Sequence, residues 1–172
     1  NATSFSGSGI TFQSARNNSV EWVKLTNMAI LTGNGLQIRV ILNELDIDEI
    51  TKREHLFVDN QTSFLAIDPS SIRDMKGLSV EKISTNNARA AKTFYDDLKR
   101  PILEKFDFNA DSVIITLYFS EIMNISSLHT AGITLHRTSS ASGASLSLPF
   151  GTTMILSDTR VIPIELTLED RN

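Results

Sequence analysis

The sequence predicts an all-β chain of two packed-sheet units, with one short helix near residues 46–57. Three features carry that expectation. Val113, Ile115, Leu117 and Phe119 alternate with Ile114, Thr116 and Tyr118, the period of two that turns one strand face toward a core. Turn chemistry punctuates short apolar runs, as at Thr32-Gly33-Asn34-Gly35. The chain also repeats itself, Asn1 falling on Asn124 at an offset of 123 positions.

Taken in order, residues 1–14 read as a polar crossing that ends in a short strand around Ile10-Thr11-Phe12. Asn17-Asn18-Ser19 is a turn, and Val20–Leu25 after it alternates weakly. Trp22, the only tryptophan, reads as a core or sheet-face anchor. Ala29–Leu31 is brief, and Leu36–Leu42 is the clearest strand of the first half. Asp46 caps the helix, with Glu49 three residues on as in a capping box. Ile47, Ile50 and Phe57 give that helix a thin apolar face, and Ser63–Ile67 is again a strand. Asn86–Leu98 has two readings. Ala88, Ala91, Tyr95 and Leu98 have helical spacing that Pro101 would end, whereas Ala90–Phe94 also suits a strand leading into an extended linker. Pro101–Asn109 and Ser112–Phe119 form a hairpin across Asn109-Ala110-Asp111, and Ser139–Ser147 is a loop.

The repeat rests on both identity and strand phase. Asn1/Asn124, Ser4/Ser127, Gly9/Gly132, Ile10/Ile133 and Thr11/Thr134 coincide, and Phe5/Leu128 and Phe12/Leu135 stay apolar. After a slip of one residue, Ile38, Val40 and Leu42 fall on Ile162, Ile164 and Leu166, and Asp46 falls on Asp170. The division expected is a unit over 1–98 that lacks its first strands, followed by the first part of the next unit over 99–172. The Ser112–Phe119 strand has no counterpart ahead of Asn1, and Asp46–Lys99 has none after Asn172.

The run of apolar alternation, Phe119-Ser120-Glu121, a polar crossing and Gly132-Ile133-Thr134-Leu135 resembles the opening of bacterial-Ig-like modules of the S-layer and "FSE-P-V" type. Asp74-Met75-Lys76-Gly77-Leu78-Ser79-Val80 resembles that family's closing turn and strand, with Lys76 for the usual alanine and Leu78-Ser79 for Asn-Pro. The resemblance implies tandem Ig-like Greek-key sandwiches and favours the strand reading of Ala90–Phe94. It also implies a non-catalytic segment of a long extracellular or cell-surface fibre, coat or adhesin. Its partners would then be neighbouring repeat units or further copies of the same protein. The sharper form is strand complementation, with Ile102, Leu103, Phe106, Phe108, Val113, Ile115, Leu117 and Phe119 as the donated apolar face.

Composition narrows the other classes. A net charge of −4 leaves no basic surplus for nucleic acid, and there is no cysteine for disulfides or thiolate chemistry. No run approaches the roughly 20 apolar residues that span a bilayer. No nucleophile elbow, phosphate loop or dinucleotide fingerprint occurs, and His55, His129 and His136 read as surface or strand-face residues. Four glycosylation sequons start at Asn1, Asn17, Asn60 and Asn124, and are glycan sites if the protein is secreted by a eukaryote. Asp96, Asp97 and Asp107 are the calcium candidates at the unit junction, set against ordinary solvated linker charge. The competing reading is a carbohydrate-binding sandwich that uses Trp22, Tyr95 or Tyr118 as a stacking platform.

Overall fold

The computed structural model describes residues 1–140, 143–149, 151–153 and 157–167. Among the described residues the chain is all-β with a single short α-helix, and it divides into two compact units, Asn1–Leu98 and Lys99–Asn172.

In the first unit, β1 (Ile10–Gln13) is flanked by β2 (Trp22–Lys24) and by β5 (Phe64–Ile67), with β6 (Arg89–Ala90) outside β5. A separate antiparallel pair, β3 (Met28–Ile30) and β4 (Val40–Leu42), forms the second layer. Between the layers lie Ile10, Val23, Leu25 and Leu56, with Phe12, Leu42, Leu65 and Ile67 packed against them. The period-two rule explains the choice: Ile10 and Phe12 share a face with their partners Ile67 and Leu65.

The helix α1 spans Glu44–Thr51, and its cap is Asn43 rather than Asp46. Asn43 Oδ1 accepts the Asp46 N–H at 2.8 Å, which frees the Asp46 carboxylate for another task. That carboxylate, 2 % exposed, accepts from the Thr26 N–H at 3.0 Å, the Thr26 hydroxyl at 2.9 Å and Asn43 Nδ2 at 3.1 Å. Asp46 thereby fastens the helix to the end of the β2 segment. Glu49 turns outward instead, and Lys52 and Arg53 beside it hold its carboxyl below the usual carboxylate range.

In the second unit, β7 (Leu103–Asn109), β8 (Ile114–Met123), β12 (Thr159–Glu165) and β11 (Thr152–Thr153) make a four-stranded antiparallel sheet. The facing layer is the hairpin of β9 (Thr134–His136) and β10 (Ser145–Ser147). Ile115, Leu117, Leu148, Ile162, Ile164 and Leu166 are the buried core. At the β7–β8 turn Asn109 Oδ1 accepts the Asp111 and Ser112 N–H groups, and Val113 takes φ +56° before the strand begins.

Several expectations shift. The strand expected over Leu36–Leu42 shortens to Val40–Leu42, and Leu36 stands in solvent. Neither a helix nor a strand covers Ala91–Leu98; β6 stops at Ala90. Ser120 and Glu121 remain in β8, because the strand continues against Thr159 before the polar crossing starts at Asn124. Asp170 lies outside the described residues.

Replacing Asp46 with Ala strands three donors around a buried site. We expect a loss of about 2 kcal/mol in urea-induced unfolding of the first unit, and a smaller loss for Asp46→Asn.

Candidate functional site

The two stretches 123 positions apart fold alike, bond for bond. Asn1 and Asn124 each cap a 3-10 turn, Ala2–Ser4 and Ile125–Ser127. Their Oδ1 atoms accept the N–H and hydroxyl of Thr3 and of Ser126, while Ser4 and Ser127 hydroxyls bond back to the capping carbonyls. A second 3-10 turn follows at Gly7–Gly9 and at Thr130–Gly132. Next comes a hairpin in one register: Phe12 faces Val23 as Leu135 faces Leu146. The Leu25 N–H bonds Ile10 O, and the Leu148 N–H bonds Ile133 O. Past the one-residue slip, Ile30 faces Val40 as Thr153 faces Ile164.

Side-chain volume is exchanged between the copies. Met28 lies over Gly7, 3.1 Å from where a Cβ would stand, whereas the corresponding pair is Gly151 and Thr130, with 3.5 Å from the Gly151 position to Thr130 Cβ. The glycine thus stands on opposite sides of the pair in the two units, and at Gly151 the nearest atom is Ile164 Cγ2, 2.9 Å from where a Cβ would stand.

Each unit leaves open the face that the other fills. In the second unit β12 has β8 on one edge and β11 on the other, while in the first unit its counterpart β4 has only β3 among the described residues. Beside β4 runs a groove of about 360 Å³ lined by Phe12, Val40, Leu42, Ile47, Ile50 and Phe57. Conversely, β1 has β2 and β5, while its counterpart β9 has only β10 among the described residues. There a groove of about 510 Å³ opens between Ile133 and Leu135 on one side and Leu103, Phe106 and Phe108 on the other. Phe106 and Phe108 are 56 % and 52 % exposed, a large apolar area for an edge strand to show water.

The eight residues expected as a strand-donor face lie on or beside β7 and β8. Ile115 and Leu117 are buried against β12 of their own unit, and Ile102 O accepts the Ser120 N–H. Both edges of β8 are therefore occupied within the chain, by β12 and β7. Asp107 sits on β7, and its carboxylate accepts the Tyr118 hydroxyl, pushing that phenol's pKa up; Lys105 lies 4.2 Å from the same ring. Asp96 and Asp97 belong to the first unit and Asp107 to the second, and among the described residues no three His, Asp or Glu side chains group as a metal site would. Asn17, Asn60 and Asn124 are exposed, while Asn1 is half-buried. His55, His129 and His136 are exposed as well.

Trp22 is not a core anchor. It points away from the core on β2 and is 54 % exposed. The serine at the matching place, Ser145, makes the same hairpin register, so the indole is not needed to form it.

Sequence reading missed the two open grooves and the purpose of the Gly9/Gly132 match. A Cβ on Gly9 would stand 2.1 Å from Ser71 Oγ, so only glycine fits there, yet nothing lies within 4 Å of that position on Gly132. The matched glycines were the signal, but what pressed on them could not be read without the fold. Among the described residues no helix is long and apolar enough to cross a membrane. Compared with family models, with curated proteins and with solved structures, the chain matches none.

Proposed function

We propose that this chain is a structural segment of a long extracellular or cell-surface protein built from tandem Ig-like modules. In this reading it has no catalytic role, its partners are neighbouring modules or copies, and it takes part in a fibre, coat or adhesin. One observation carries it: the same capped turns and the same hairpin recur 123 positions apart with opposite faces left open. A repeated unit that buries its own core and leaves an apolar groove open suits an array in which neighbours cover that groove. Exposed sequons suit a glycoprotein, and the acidic residues near Lys99 remain the place to look for calcium. Intact mass of the native protein, before and after glycosidase, tests the array. The expected result is a chain holding several copies of the unit; a mature chain near 19.0 kDa would contradict it.

A second reading, carbohydrate binding, is favoured by Trp22. Its exposed ring borders a polar groove of about 310 Å³ that includes Thr11, Asn18, Ser19 and Asn86. Buried Gln13 frames it, donating from Nε2 to the carbonyls of Ala15 and Thr85 at 2.6 and 2.8 Å. Stacking of a sugar ring should change indole fluorescence saturably, and Trp22→Ala should abolish binding with stability unchanged. No response across a panel of neutral and acidic oligosaccharides would remove this reading.

A further inference from the structure

We infer that the open groove of the second unit is a docking site for one particular segment: a further copy of Phe64–Ser71, entering antiparallel to β9. This rests on the module reading above and specifies its contact. The first unit shows what such a groove holds. There β5 lies along the outer edge of β1, with Ile10 opposite Ile67, Phe12 opposite Leu65 and Gln13 opposite Phe64. Carried across by the repeat, the same register sets Leu135 opposite a Leu65 and Ile133 opposite an Ile67. Those two leucine and isoleucine side chains would enter the groove that Leu103, Phe106 and Phe108 now leave open.

Three features beyond the apolar groove select this occupant. Past β5 the chain turns through Pro69–Ser71, where the Asp68 N–H donates to Gly9 O at 2.8 Å and Ser71 O accepts the Ser6 N–H at 2.7 Å. Gly132 O and the His129 N–H are the matching acceptor and donor in the second unit, at the same places relative to the same 3-10 turn. Gly132 completes the fit. Its φ is not positive, nothing fills the space where a Cβ would go, and the second unit alone gives no reason for glycine. In the first unit that space is taken by the Ser71 side chain. The open space at Gly132 would therefore admit an incoming serine placed as Ser71 is over Gly9. A small apolar ligand would fill the groove but would use neither the strand edge nor Gly132.

The test adds a synthetic peptide, Ser63–Arg73, to the full chain and follows amide hydrogen exchange. The expected result is saturable protection of the amides of His129, Thr134 and His136, with Leu135, whose amide faces β10, unchanged. Gly132→Ala should leave the melting temperature unchanged and abolish that protection. With Leu135→Cys in this cysteine-free chain, a peptide carrying Leu65→Cys should cross-link and one carrying Ala66→Cys should not. To exclude weak affinity as the cause of a negative result, the segment 49–98 is also joined behind Asn172 in phase with the repeat. No added protection of β9 in that fused chain overturns the proposal, as does protection that survives Gly132→Ala. Protection confined to β7 would overturn it too, and would mean lateral pairing of edge strands. Absence of β9–β10 pairing in the unmodified chain would instead defeat the module reading from which the proposal starts.

Discussion

A β-strand with one apolar face has two demands: a second layer to cover that face, and a hydrogen-bonding neighbour on each edge. Here neither unit meets both demands alone. Among the described residues, the first unit completes the layer built on β1 and leaves β4 short of a neighbour, while the second completes the layer built on β12 and leaves β9 short. A module assembled from the best-covered layer of each unit would carry four strands over four strands. Burying the exposed half of Phe106 and of Phe108 would contribute about 1 kcal/mol for each side chain toward the covered state.

The two units share backbone bonds more closely than side chains. Asparagine is retained at both caps because its short amide reaches the second following N–H, and the following hydroxyl residue bonds the same oxygen. Elsewhere the packed positions are kept while residue identity drifts. Met28 over Gly7 becomes Gly151 near Thr130, and Phe12 becomes Leu135. Where their surroundings differ, the units diverge: exposed Trp22 and buried Gln13 both have exposed counterparts. Trp22 corresponds to Ser145 and Gln13 to His136, which leaves the Trp22 groove a property of the first unit.

Much of this was legible in the residues. The alternation from Val113 to Phe119 marks the central strand of the second unit, and the match of Ile10-Thr11 to Ile133-Thr134 anticipates the shared hairpin. Other parts were decided by tertiary context. Leu36 to Arg39 has the alternation of a strand, but there the Thr32 side chain takes the Arg39 N–H that a strand partner would take, so the regular ladder begins only at Val40. Asp46 has the chemistry of a helix cap, but Asn43 lies three residues earlier and takes that place, leaving the carboxylate to hold Thr26. Trp22 is apolar by composition and faces outward because Val23, beside it, occupies the inward phase. The open grooves could not be read at all, since an absent neighbour leaves no mark on periodicity. Only the glycine at 132 hinted at one.

The central claim is that one building block occurs twice in this chain, folded alike. Cross-strand Hα–Hα nuclear Overhauser contacts in solution test it most directly, since they report register without reference to side chains. The account predicts Hα–Hα contacts at the non-hydrogen-bonded pairs, Thr11 with Lys24 and Gln13 with Trp22 in the first hairpin and Thr134 with Ser147 and His136 with Ser145 in the second, with slowly exchanging amides at Leu25 and Leu148. A register in the second hairpin displaced by even one residue, or a Leu148 amide that exchanges as fast as a loop, would contradict it.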